Sequence, residues 1–354
     1  VGEVRQAFRL RRRLRAPAAR AALILLAAAA SGSAYANDST AELTTGGLAL
    51  TRSAHIEMRS EDLYISPREI RVGYRFYNAS PADVTTLVAF PMPDITVADV
   101  GANVTVPTSD PQNLLGFSTT VDGAPVKASI MQKVTNRAGM DRTADLERLG
   151  VPLAPHLRST DKAIEKLPRV AWDELRLLGL ADTEEYSAGR VMRQSRPSPR
   201  WTLQTTYYWE QTFPAGREIA IEHRYKPSIG RSAQTMIGDP EAMKEGWFKA
   251  YVDKYCIGTE LTGAAERARK AARMKYGAPF SEERISYRLA TGANWARPIG
   301  RFRLVVDKGH PASLVSFCGM ETKRIAPTQL EVRKDGFAPD QDLHILILRP
   351  SRHR

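Results

Sequence analysis

Apolar side chains on every second position recur along this chain, a period that fits half-buried β-strands and little else. In Ile70–Tyr77 the residues Ile70, Val72, Tyr74 and Phe76 alternate with Arg71, Gly73, Arg75 and Tyr77. Asn78-Ala79-Ser80-Pro81 closes that run as a turn. Val84–Phe90 reads as the next strand and stops at Pro91-Met92-Pro93, because a proline nitrogen has no proton to give a ladder. Val100–Val106, Leu115–Val121 and Val126–Val134 follow, the last two joined by Asp122-Gly123-Ala124-Pro125. Short strands with turns every ~8–12 residues predict a mainly β chain of the sandwich or barrel type.

From about 136 to 195 the period changes. Asp141-Arg142-Thr143 is placed to cap a short helix through Leu146 and Leu149, and Asp161–Leu167 and Val170–Leu178 carry helical stripes. Pro152, Pro155 and Pro168 cut the helices short. This is a helical insertion between strands, followed by a loop over Arg193–Arg200. A hairpin then resumes the β pattern. Trp201, Leu203, Thr205, Tyr207 and Trp209 share one face, Phe213-Pro214-Ala215-Gly216 turns the chain, and Ile219, Ile221, His223 and Tyr225 line the return strand. Beyond Gly230 come a basic helix over Ala264–Tyr276 and strands at Ile285–Ala290, Phe302–Val306, Ser313–Cys318, Leu330–Arg333 and Leu343–Arg349, with a frayed tail from Pro350. The expected organisation is two β-sandwich-like modules. The first spans 37–230 and holds the insertion at about 136–195; the second spans 231–354 and is α+β or β-rich.

Residues 1–36 belong to neither module. Seven arginines between Arg5 and Arg20 precede an apolar run, Ala21–Ala30, and small residues ending Ala34-Tyr35-Ala36. Basic, apolar and small zones in that order predict a secretory signal cleaved between Ala36 and Asn37. A spanning helix needs roughly 20 apolar residues, so no transmembrane anchor is expected after cleavage. Arg11-Arg12-Arg13-Leu14 resembles a twin-arginine signal, but Arg15 stands where a second apolar residue belongs, which favours Sec export to the periplasm. The segment holds seven Arg and one Glu, half of the formal charge of +12. The remaining +6 is dispersed, and nucleic acid is not an expected partner. An envelope protein or polymer is.

Cys256 and Cys318 are the two cysteines. In an oxidising compartment an even pair reads first as a disulfide, although two buried thiols remain an alternative from sequence. Closing a loop of about 60 residues stabilises by ~4 kcal/mol in the chain-entropy treatment.

Motifs for catalysis are missing: there is no G-x-S-x-G elbow, phosphate loop or dinucleotide fingerprint. The histidines, at 55, 156, 223, 310, 344 and 353, form no local zinc pair. No metal or cofactor is expected. His223 on an apolar strand face reads as a core histidine before a general base, and Glu222 points to the other side. Trp201, Tyr207 and Trp209, with His223, are a speculative ligand face whose plainer reading is core. Glu61 and Asp62 read as a solvated acidic turn, and the basic stretch Arg267–Lys275 as a solvated helix face.

Several segments carry a resemblance. Gly46-Gly47-Leu48, Glu61-Asp62-Leu63-Tyr64-Ile65-Ser66, Phe90-Pro91-Met92-Pro93 and Gly139-Met140-Asp141-Arg142-Thr143 are similar to the domain of unknown function 4424. So are Tyr208-Trp209-Glu210-Gln211-Thr212-Phe213-Pro214-Ala215-Gly216, His223-Arg224-Tyr225-Lys226-Pro227 and the run from Trp295 to Phe302. The resemblance implies an exported bacterial protein without an assigned activity or catalytic residues. A second resemblance, over Tyr74–Asn78, Phe90–Pro93 and Asp122-Gly123, is to the vault/inter-alpha-trypsin type of β-sandwich and implies architecture only. The resulting expectation is a non-enzymatic binding or structural envelope protein. Its alternatives are an envelope hydrolase with a site assembled from distant residues, and a glycan- or small-ligand-binding protein.

Overall fold

The structure, a computed structural model, describes residues 39–44, 47–96, 103–187, 193–271 and 279–351. The expected cleavage site at Ala36 and Asn37, part of the strand expected at Val100–Val106, and the end of the basic stretch at Arg273 and Lys275 lie outside them. The first strands are β1 (Ser39–Thr44), β2 (Gly47–Thr51), β3 (Ile56–Ile65), β4 (Ile70–Asn78), β5 (Val84–Pro91), β6 (Ile95–Thr96) and β7 (Asn103–Thr105). Next come β8 (Ser118–Val121), β9 (Ala124–Val126), β10 (Ser129–Thr135), β11 (Ala181–Ser187), β12 (Arg193–Pro199), β13 (Thr202–Phe213) and β14 (Glu218–Tyr225). The last are β15 (Ile229–Ser232), β16 (Phe280–Tyr287), β17 (Ile299–Asp307), β18 (Leu314–Ser316), β19 (Lys323–Ala326), β20 (Gln329–Phe337) and β21 (Leu343–Pro350). Helices α1 (Thr143–Arg148), α2 (Arg158–Glu165) and α3 (Arg169–Leu177) form the insertion, and α4 (Gly246–Tyr255) and α5 (Thr259–Ala271) follow β15. None of the described helices is long and apolar enough to cross a membrane.

The chain is mainly β, and its sheets pack in sandwich fashion. One sheet runs β10-β13-β5-β1-β2, with β6 also on β13. A second runs β19-β20-β17-β3-β4-β14-β8-β9, and a third β18-β21-β16-β15-β7. Phe213 of the first sheet meets Phe76 of the second at 5.9 Å, and Trp209 meets His223 at 5.5 Å. Trp295 is fully buried and closes this interior against Phe76 at 4.4 Å. On the third sheet, Ile285, Tyr287, Ile345 and Ile347 join the main core. Its other face takes Leu346 and Leu348 under Phe248, Tyr255 and Leu261 of α4 and α5. That double burial explains the near-continuous apolar run Leu343–Leu348.

Several expectations need correction. Strands β13 and β14 are not a hairpin: β13 pairs with β5 and β10, β14 with β4 and β8. The turn between them carries the chain across the sandwich, so their apolar faces meet through the core. Arg193–Arg200 is not a loop, because β12 pairs with β11 from Arg193 to Pro199; edge strands tolerate proline where no ladder proton is needed. Glu61 and Asp62 are not a turn but lie within β3. Pro350 still belongs to β21. Residue 230 does not separate two sets of sheets either. Strand β17 pairs in parallel with β3, β7 pairs with β15, and residues from 34 to 354 form one compact unit. Gly300 permits the close approach of β17, since a Cβ there would sit 2.6 Å from the Arg59 carbonyl oxygen.

Asp122-Gly123 turns β8 into β9 with positive φ at both residues, 47° and 79°, the requirement of a tight two-residue hairpin. Cys256 and Cys318 are bonded, with Cα atoms 5.1 Å apart. The bridge ties the end of α4 to the segment after β18.

Candidate functional site

The outer face of the eight-stranded sheet carries a groove of about 760 Å³. Its position follows from the strand alternation: Ile70, Val72, Tyr74 and Phe76 of β4 turn inward, so Arg71, Gly73 and Arg75 face out. Gly73 is the floor. It is in register with Asp62 of β3 on one side and Glu222 of β14 on the other. A Cβ on Gly73 would find its first neighbour, Glu222 Cγ, only at 4.0 Å. A missing side chain in mid-strand therefore leaves a slot between two carboxylates.

The next row along the strands is cationic. Arg71 and Arg224 are in register, and Ser118 of β8 is in register with Arg224. Arg71 lies over the Tyr64 ring at 4.4 Å and reaches Glu69 at 3.4 Å. Tyr64 donates its hydroxyl to Asp307 Oδ2 at 3.1 Å; burial and the Asp307 charge raise the pKa of that phenol. On the far wall Arg303 donates to Glu331 at 2.8 Å and to Asp62 at 3.1 Å. Hydrogen bonds from Arg333 and Arg303 pull the Glu331 carboxyl down to about 2. Arg303 is thus neutralised by two carboxylates, whereas Glu222 and Arg224 are exposed and have no side-chain partner among the described residues. A second hollow of about 410 Å³ shares Tyr64, Ser118 and Arg224 with the groove and adds Arg68 and Lys226. The two make one continuous surface depression.

Of the residues singled out in the sequence, Asp62 stands in the groove wall and His223 reaches its lining from β14; the others lie elsewhere. Trp201, Tyr207, Trp209 and His223 are 0, 4, 5 and 2% exposed, so this face is interior and offers no platform to a ligand. Trp201 donates its indole N–H to the Leu153 carbonyl at 2.7 Å, fastening the helical insertion to β13. Tyr207 stacks on Phe117 at 4.2 Å and donates to Asn113 Oδ1 at 2.8 Å, and burial raises its pKa. Glu61 is buried and accepts from Tyr287 at 3.4 Å, while Tyr287 and Tyr74 share a 3.1 Å hydrogen bond. A Ser286–His344 contact of 2.9 Å joins neighbouring strands on the helix-covered side of the third sheet, away from the groove. Sequence reading missed the groove because its walls look like an ordinary solvated strand face. The available signal was Gly73, an isolated glycine inside a strand pattern.

A family model described as a domain of unknown function, DUF4424, matches residues 36–346. The chain belongs to the DUF4424 family. All groove-lining residues, from Asp62 to Gln329, fall within the DUF4424 match. No curated protein matches this DUF4424 chain. Among solved structures, it is similar to a candidate nutrient binding protein from Legionella pneumophila subsp. pneumophila str. Philadelphia 1. That similarity has 15% identity, covers 88% of this chain and 70% of the other, and has a TM-score of 0.43. A likeness this loose transfers neither fold detail nor function.

Proposed function

We propose that the protein is exported to the periplasm, loses residues 1–36, and acts there as a non-enzymatic binding protein whose contact surface is the groove over Gly73. The observation that supports the reading is the slot itself. A glycine in the middle of a central strand gives up side-chain packing and stiffness, and here the space it leaves is flanked by polar groups that face solvent instead of the core. Concave surfaces with a few convergent polar groups are where ligands are usually held.

Filling the slot tests this. The mature chain and its Gly73→Phe variant are used to capture partners from envelope extract, with melting followed on both. The expected result is a reproducible bound species lost from the variant, with melting unchanged or higher, since phenylalanine suits a strand better than glycine. Equal capture by both proteins would remove the groove from the function. The intact mass of the envelope form is expected to start at Asn37; retention of residues 1–36 would overturn the export reading.

A further inference from the structure

Resting on that binding reading, we propose that the groove takes an acidic sugar, its carboxylate or phosphate held by Arg71 and Arg224 and its hydroxyls by the carboxylates beside Gly73. The first argument is register. Arg71 and Arg224 are directly paired on β4 and β14, and like charges in that relation repel each other, with the Glu69 carboxylate beside Arg71 offsetting part of the repulsion. The Arg224 guanidinium is exposed, and no ion pair or side-chain hydrogen bond engages it among the described residues. An oxyanion seated between the two would replace repulsion with charge-assisted hydrogen bonds, for which the planar guanidinium fork is suited.

Preorganisation is the second argument. Arg71 is already fixed, stacked over Tyr64 at 4.4 Å and tethered to Glu69 at 3.4 Å, so little side-chain freedom is lost when it binds. Arg303 has its charge cancelled within the wall, which leaves the positive potential of the groove on the Arg224 side. Glu222 lies two residues from Arg224 on the same strand face, about 6–7 Å away along the backbone. That separation is the span of a sugar ring carrying an acid at one end. Glu222 and Asp62, either side of the empty Gly73 position, are hydrogen-bond acceptors for ring hydroxyls.

Three probes with one ring separate the terms: glucose, glucuronate and glucose 6-phosphate, titrated calorimetrically into the mature chain at low salt. At least one acid is expected to bind ten times or more tighter than glucose, and the better of the two names the oxyanion source. Arg224→Gln is expected to weaken that acid at least tenfold while melting stays equal or rises, because a repelling pair is removed. A merely structural arginine would instead lower melting. Binding of glucose as tight as the acids, no binding of either acid, or unchanged binding by Arg224→Gln would overturn the assignment. Should neither acid bind while Gly73→Phe still abolishes capture, the groove remains a binding surface and only its ligand chemistry is wrong.

Discussion

Trp209 meets the ring of His223 edge-on at 5.5 Å and is 5% exposed, at the meeting of two sheets whose other contacts there include Tyr207 on Phe117. An indole in such a place has no way to be replaced by water without opening the sandwich. Trp209→Ala is expected to destabilise by about 3–5 kcal/mol, the range for removing a large buried aromatic. Chemical denaturation measures it, and Trp209→Phe should recover most of the loss. A small change for the alanine variant would mean that the site collapses or is not closed. At this scale the interior was legible: the alternation Trp201, Leu203, Tyr207, Trp209 marks the inward face without error. The groove was not legible, since Asp62, Glu222 and Arg224 have the composition of any wetted strand face. Only pairing register brings them together around Gly73, and register between distant strands leaves no trace in periodicity.

The helical insertion contains a group whose ionisation the fold opposes. His156 lies just before α2, and neither ring nitrogen has a hydrogen-bond partner among the described residues. Burial alone pushes its pKa down from 6.5 to about 4. The folded chain therefore resists a proton that the unfolded chain accepts, and stability is complete above pH 6.5 and declines as pH falls toward 4. Allowing for solvent around a ring that is partly open, the loss is about 2 kcal/mol. His156→Leu is expected to melt less acid-sensitively than wild type between pH 6.5 and 4, with parallel behaviour above pH 7. Identical pH profiles would show that the ring is hydrated in the folded state. The insertion was readable because Pro152, Pro155 and Pro168 punctuate helical stripes. Its β11–β12 hairpin was misread because Pro197 and Pro199 look like loop residues until a partner strand is present. Helix α4 escaped notice for a different reason. Phe248, Tyr251 and Tyr255 crowd one side of it to cover the third sheet, and aromatics in a ten-residue stretch do not signal helix over strand.

Across the whole molecule, the central fact is the parallel pairing of β17 with β3, which brings Arg303 to Asp62 across 241 positions of sequence. Turn spacing reports neighbours in sequence, so a boundary near residue 230 was the natural inference from the chain and the sheets do not respect it. Cutting there would strip β3 of a partner along Leu63 and Ile65, both fully buried. It would also take Tyr287, a donor to the buried Glu61 carboxyl, away from it, and losing a hydrogen bond to a buried acid is costly. The cut would fall inside β15, which pairs with β7 on one side and β16 on the other, so the third sheet would be severed from β7 and left with β16, β18 and β21. Neither half could close its own core, so the two should unfold together. Calorimetry of the mature chain is expected to give one transition, with van't Hoff and calorimetric enthalpies equal. A chain covering 37–230 alone should lack the near-ultraviolet circular dichroism of packed tryptophans. Two resolved transitions, or a native-like spectrum from the fragment, would mean that the sheets shared across residue 230 contribute little, and that the groove, whose walls come from both sides, is only loosely held.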